Sequence, residues 1–152
     1  MGETVFAHNW IRETLRFGIK QFLLASNTSG EVLVETGIRF DSSTLARPDL
    51  SYWNAQHLAR IDWNHSPVEI VPQLLAEVVS PSNSLRMLFR NAEYYLRAGV
   101  QTVWVVNRDP FEVYAFEPGK AKRTVRIGEM LDAPSVLPGF SVSVSSFAPP
   151  VQ

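Results

Sequence analysis

Two short apolar runs on either side of an amphipathic stretch constrain the fold of this chain most. The runs are LLAEVVS (residues 74–80) and TVWVVN (residues 102–107), and each is apolar on both faces of the strand it predicts. Between them, residues 84–98 place Leu88, Ala92 and Tyr95 on one face of a helix. A strand–helix–strand unit of this kind joins parallel neighbours through a right-handed crossover, so we expect a sheet that is covered on both faces.

The rest of the chain extends this α/β pattern. A helix is predicted at residues 7–25, where apolar side chains recur at helical spacing. Residues 54–71 have no clear period and predict a loop with at most one helical turn. Further strands are predicted at 31–40, 47–53, 111–118 and 122–127, with a short edge strand within 137–147. The order predicts an α/β (α+β mixed) fold, with a mixed central β-sheet flanked by helices.

Composition limits the class of protein. The chain has 152 residues, of which 45% are hydrophobic, and this predicts a single domain over 1–152. A net charge of -1 gives no general affinity for nucleic acid, and the absence of cysteine excludes disulfides and thiolate metal sites. No apolar run approaches the roughly 20 residues of a membrane span, and the N-terminus does not resemble a signal peptide. We therefore expect a cytoplasmic protein.

A carboxylate interrupts the first apolar run. Glu77 stands among Leu75, Val78 and Val79, and burying an isolated ionised carboxylate is very costly. Glu77 is therefore protonated, paired with an arginine or bound to a cation. A second acid, Asp49, lies at the start of the neighbouring predicted strand. Two acids brought side by side repel each other unless a cation lies between them, and such oxygen ligands suit Mg²⁺ or Mn²⁺.

Structural explanations for the two acids remain open at this point. Asp49 could cap a turn. Glu77 could pair with Arg47 or with an arginine of the helix at 84–98. A buried ion pair of that kind does not imply a function.

Four segments in a fixed order resemble a known family. They are RPDLSYW, PQLLAEVVSPSNS, EYYLRAGVQTVWVVN and LPGFSVSVSSF. Together they resemble the Uma-two family, which is assigned to restriction endonucleases of the PD-(D/E)XK nuclease-like superfamily. The resemblance covers roughly residues 5–148. It implies a restriction-endonuclease-like core, metal-dependent hydrolysis of DNA, and a site built from an Asp, a Glu and a Lys.

Asp49 and Glu77 match the two acids of this pattern and would bind Mg²⁺ or Mn²⁺, but the lysine has no match. The superfamily position two residues after the second acid is Val79, and the position that the resembled family uses in the next helix is Asn91. Asn91 carries no charge that could stabilise a phosphoryl transition state. Arg90 is the best substitute, and Lys20 is another if its helix lines the site.

Two readings of function follow. The first is a metal-dependent DNA endonuclease, impaired because Asn91 replaces the lysine. The alternative is a catalytically silent module for DNA binding or homo-oligomeric assembly. Apolar surface in excess of what one small sheet covers also predicts a homodimer. The N-terminal segment of the family, which carries a further acid, is expected to be short or absent, because Glu3 is the only acid before His8.

Overall fold

The computed structural model describes residues 2–150, with side chains from residue 6 onward. The helices are α1 (Gly2–Ala25), α2 (Ala55–Leu58) and α3 (Leu85–Arg97), followed near the C-terminus by a 3-10 turn at Val144–Ser146. The strands are β1 (Glu31–Val34), β2 (Ile38–Asp41), β3 (Thr44–Ala46), β4 (Leu50–Trp53), β5 (Leu74–Val78), β6 (Thr102–Arg108), β7 (Phe111–Phe116), β8 (Arg123–Arg126), β9 (Met130–Asp132) and β10 (Ser141–Ser143).

A mixed six-stranded sheet forms the centre, in the order β1-β4-β5-β6-β7-β8. β5 and β6 are parallel, whereas the other neighbouring strands of this sheet are antiparallel. The parallel pair is joined through α3, as the two apolar runs predicted. The expected mixed α/β fold, a central sheet flanked by helices, is therefore confirmed.

The two faces of the sheet bury different partners because side chains alternate along each strand. Leu74, Ala76 and Val78 of β5 pack in a cluster that includes the buried face of α1 and the C-terminal segment. Leu75 packs on the opposite face, in a cluster with α3. Glu77 shares the parity of Leu75, so it faces the α3 side of the sheet.

Helix α3 follows the sequence closely. Its buried residues are Leu88, Ala92 and Tyr95. The Ser84 side chain caps the N-terminus by accepting a hydrogen bond from the Met87 amide at 3.1 Å. Beyond its C-terminus Gly99 takes φ 114°, a conformation that glycine adopts without a steric cost. Helix α3 is thus held in place by its caps and by the packing of its buried face.

The predicted strand at 31–40 is wrong as one element. Glu35 takes φ 51° and ends β1, and the chain then enters the β2–β3 hairpin, which is separate from the main sheet. The alternation of EVLVETGIRF hides this break because polar and apolar residues continue on both sides of it. The predicted strand at 47–53 begins later, at Leu50, so Asp49 precedes β4.

The remaining differences lie near the chain ends. Helix α1 begins at Gly2, earlier than the predicted residue 7. By contrast, the single turn expected within 54–71 is confirmed as α2. The predicted C-terminal edge strand is β10, but it pairs with β9 and does not join the main sheet.

Within residues 2–150 no helix combines the length and the apolar character needed to cross a membrane. A cytoplasmic location stays a prediction.

Candidate active site

The strand registers bring acidic residues together at one end of the sheet. Val34 of β1 lies opposite Leu50 of β4, and Leu50 lies opposite Ala76 of β5. Glu35 follows Val34 and Glu77 follows Ala76, whereas Asp49 precedes Leu50 because β4 runs antiparallel to both neighbours, so Asp49 lies between Glu35 and Glu77. Backbone hydrogen bonds confirm this row, since the Glu35 amide donates to the Asp49 carbonyl at 3.2 Å.

Asp49 and Glu77 are in direct contact. The Asp49 amide donates to Glu77 Oε1 at 3.2 Å, and the Val78 amide donates to Asp49 Oδ2 at 2.7 Å. The two carboxyl groups are close enough to hydrogen-bond to each other. Burial, and then the charge of Asp49, raise the pKa of Glu77 to about 8. Without a cation, Glu77 therefore keeps its proton below about pH 8.

Two further side chains hold the pair. The Tyr95 hydroxyl donates to Glu77 Oε2 at 3.3 Å, and burial together with the nearby Glu77 charge raises the pKa of Tyr95 above its ordinary value. On the other side, His8 Nε2 of α1 lies 3.3 Å from Asp49 Oδ1. The hydrogen bond to Asp49 raises the pKa of His8, against the effect of its burial.

The acid pair opens into a cavity of about 580 Å³. Its lining residues are His8, Glu35, Arg47, Asp49, Glu77, Ser80, Pro81, Ser82, Asn83, Met87, Leu88 and Asn91. Asn91 therefore lines the same cavity as the two acids. Arg90, the expected substitute for the lysine, is exposed and does not line this cavity.

The basic side chains are distributed differently from what the sequence suggested. Lys20 donates to Glu31 Oε1 at 2.7 Å, outside the residues that line the cavity. Among the described lining residues, Arg47 is the one that carries a permanent positive charge. Within the described part of the chain Glu77 forms no ion pair with Arg47 or with an arginine of α3. Of the alternatives for Glu77, protonation and cation binding thus remain.

The donor set suits a hard divalent cation. Asp49 and Glu77 present carboxylate oxygens to a cavity, and their mutual repulsion would be relieved by a cation. In the described residues no group of three or more His, Cys, Asp or Glu side chains converges as a ready metal site. Mg²⁺ is often held by one or two carboxylates with water completing its shell, so two acids are sufficient. The side chain of Glu3, the remaining N-terminal acid, lies outside the described part of the chain.

Parts of this site were not assigned from the sequence. Tyr95 was predicted as a packing residue of α3, and Arg47 was considered as an ion-pair partner of Glu77. Their positions depend on how α3 and the segment before β4 meet the end of β5. The RPD triplet that contains Arg47 and Asp49 was the local signal that could have linked both residues to the site.

The comparisons with known proteins agree with the fold and the site described above. The sequence pattern of Uma2, described as "Putative restriction endonuclease", matches residues 1–145. The chain belongs to the Uma2 family. A search of curated proteins gave no match.

A solved structure has the same fold as this Uma2 member. It is the crystal structure described as a "putative nuclease belonging to DUF820", from Anabaena variabilis ATCC 29413. The TM-score is 0.78 at 18% sequence identity, and the similarity covers 93% of this chain and 79% of that chain. At this level of identity the likeness establishes the fold alone.

Proposed function

We propose that the protein is a metal-dependent endonuclease that hydrolyses phosphodiester bonds in DNA. The family supports a nuclease with DNA as its substrate. The observation that carries the proposal is the contact between Asp49 and Glu77 at the cavity. Glu77 in β5 and Asp49 just before β4 present carboxylates that no described lysine or arginine pairs with, and such a pair is suited to binding Mg²⁺ or Mn²⁺.

Each residue of the site has a distinct task in this proposal. Asp49 and Glu77 would hold the cation, which when bound lowers the pKa of water and offsets phosphate charge. The Val78 amide fixes Asp49, and the Tyr95 hydroxyl fixes Glu77, so neither carboxylate must be reoriented. His8 contacts Asp49 Oδ1 and restricts its rotation from the side of α1. Such outer contacts commonly orient the groups that bind a metal.

The hydrolysis itself has a simple balance. A water oxygen forms a bond to phosphorus, the bond from phosphorus to one ester oxygen breaks, and a proton of the water ends on that leaving oxygen. The products are a phosphomonoester and an alcohol, and no oxidant or reductant is consumed. The negative charge that accumulates on the phosphoryl oxygens needs preorganised positive charge nearby.

Asn91 is the residue of the site that we expect to slow cleavage. Its amide lines the cavity but carries no charge, in the position that the resembled family gives to lysine. Loss of one preorganised stabiliser of this kind costs on the order of 10²–10³ in rate. We therefore propose that the chain cleaves DNA slowly, and that Asn91 limits the rate.

The decisive experiment is nicking of supercoiled plasmid with Mn²⁺ or Mg²⁺, and with chelator as a blank. Slow nicking that requires the metal and is lost in Glu77→Ala supports the proposal. Cleavage that survives Glu77→Ala contradicts it. Metal binding without any cleavage, even after Asn91→Lys, favours the second function that Asn91 suggests, a catalytically silent module for DNA binding or assembly.

We also propose that the protein forms a homodimer through α1. An exposed apolar stripe runs along this helix, in addition to its buried face. The stripe consists of Phe6, Trp10, Phe17 and Leu24, which are 68%, 37%, 58% and 71% exposed. At about 100° per residue, these four positions fall within about 40° of each other on the helix.

A second copy of α1 in antiparallel orientation suits this stripe. With the two-fold axis at Phe17, the two Phe17 rings meet, and Trp10 faces Leu24 of the second copy. Glu13 then approaches Lys20 of the second copy, so opposite charges flank the apolar centre. Within the chain these two residues contact Arg16 and Glu31, at the partly exposed edges of the stripe. Apolar and charged positions are therefore complementary under the same symmetry, as an isologous interface requires.

A further inference from the structure

Arg47 is placed to receive the phosphate of the substrate. It lines the same cavity as Asp49, Glu77 and Asn91, and it is exposed. Its recorded contact is a weak one, from Nη1 to the Glu35 carbonyl at 3.4 Å. Within the described part of the chain it forms no ion pair with a carboxylate. The guanidinium therefore keeps donors available for an anion in the cavity.

The neighbouring arginine on α1 shows the contrast. Arg12 is paired with Glu35 and is mostly buried. The charge of Glu35 is thus balanced by Arg12. Arg47, beside the cavity, forms no ion pair within the described residues. The proline that follows, Pro48, restricts the backbone of Arg47 to extended conformations. Pro48 is itself buried, so the backbone next to Arg47 is held in place. The Arg47 side chain therefore leaves the backbone at a fixed position, two residues before Asp49.

The charge balance of the site leaves one task for such a residue. A divalent cation would balance the two charges of Asp49 and Glu77, so a bound phosphodiester would bring one net negative charge to the site, which a neighbouring cationic group can offset. Asn91 cannot supply it, and Arg90 does not line the cavity. Arginine is well suited to this task because its planar guanidinium donates two parallel hydrogen bonds to phosphate oxygens.

We propose that Arg47 binds the scissile or adjacent phosphate of the nucleic acid and contributes its positive charge to substrate binding. This inference rests on the proposed nuclease function and names the residue that contacts the substrate. A phosphate contact carries no sequence information, so Arg47 contributes equally to duplexes of different sequence.

The test is DNA binding as a function of salt, measured by fluorescence anisotropy with two labelled duplexes of unrelated sequence and with Ca²⁺ replacing Mg²⁺. Each phosphate contact contributes a slope of about 0.9 in log K against log salt. Arg47→Gln is expected to reduce the slope by about one and to weaken binding roughly tenfold at low salt on both duplexes. Arg47→Lys is expected to recover most of the slope.

Arg60→Gln is the matched control. Arg60 is exposed and has no recorded ion pair, and it follows β4 at the end opposite to Asp49. Equal slopes for Arg47→Gln and Arg60→Gln, or no binding of either duplex by the unmodified protein, would overturn the assignment. A slope that falls for Arg90→Gln and not for Arg47→Gln would overturn it as well, in favour of Arg90.

Metal binding separates this inference from the function on which it rests. Calorimetric titration of Arg47→Gln with Mn²⁺ is expected to show binding at least as strong as in the unmodified protein, because the substitution removes a positive charge and none of the proposed metal ligands. If Mn²⁺ binding and Glu77-dependent nicking persist while Arg47→Gln has no effect on DNA binding, the nuclease proposal stands and the Arg47 assignment fails. If Mn²⁺ does not bind at all, the nuclease proposal fails first.

Discussion

The backbone amide of Asp49 lies 3.2 Å from Glu77 Oε1, so the two acids are joined through the main chain as well as through their carboxyl groups. This relationship follows from the antiparallel register of β4 and β5, which is set by apolar residues deeper in the sheet. The hydrophobic core thereby fixes the spacing of the proposed metal ligands. Binding of a cation therefore need not move either strand.

Folding stability of the metal-free protein is expected to fall as pH rises. The pKa of Glu77 is raised from 4.5 to about 8, so between these values the folded state keeps a proton that the unfolded state has released. The contribution of Glu77 to folding stability is therefore fully present below about pH 4.5 and is lost progressively toward pH 8. Glu77→Gln, which cannot ionise, is expected to be more stable than the unmodified protein at pH 8 by on the order of a few kcal/mol.

Urea denaturation with chelator present, at pH 5 and pH 8, measures this effect. The difference between the two proteins isolates Glu77 from other groups, including His8. A difference that is the same at both pH values would show that Glu77 is already ionised in the folded chain.

Asn91→Lys is expected to raise the rate of plasmid nicking by about 10²-fold. The new ammonium group extends from the border of α3 into the cavity that Asp49 and Glu77 line. Asn91→Met is the control, because it adds a side chain of similar length without charge. The gain should disappear when Asn91→Lys is combined with Glu77→Ala, and a gain of equal size from Asn91→Met would refute the role of charge.

Phe17→Asp is expected to convert the dimer into a monomer. Phe17 lies at the centre of the exposed stripe of α1, and a carboxylate there would be buried against its symmetry mate. Light scattering at micromolar concentration should give about 34 kDa for the unmodified protein, twice the 17.1 kDa of the chain, and half of that for the variant.

The matched control for the dimer is Leu45→Asp on β3. Leu45 is 57% exposed, close to the 58% of Phe17, but lies outside α1. It should leave the assembly unchanged. A mass of one chain for the unmodified protein, or dissociation by both variants, would contradict an interface on α1.

The sequence predicted the elements whose side chains show a strong period or a two-sided apolar run. β5, α3 and β6 were predicted in this way, and so were the buried residues Leu88, Ala92 and Tyr95 of α3. The break at Glu35 was missed because a positive φ at a non-glycine residue leaves no local signal in an alternating segment. β9 was missed because three residues with one buried side chain show no measurable period.

The site was only partly predictable for a related reason. Asp49 and Glu77 were predicted because each acid adjoins a strongly apolar strand. Arg47 and Tyr95 have ordinary local explanations, in a turn and on a packed helix. Their arrangement around the acids depends on tertiary contacts that no spacing within one segment encodes.

Calorimetric titration with Mn²⁺ at pH 7.5 tests the central claim, that Asp49 and Glu77 bind a divalent cation, most directly. We predict one site per chain in the unmodified protein and in Glu93→Ala, whose exposed acid on α3 does not line the cavity. Asp49→Ala and Glu77→Ala should each abolish the binding heat while remaining folded by circular dichroism. Absence of binding by the unmodified protein, or binding of equal strength in Asp49→Ala and Glu77→Ala, would contradict the account.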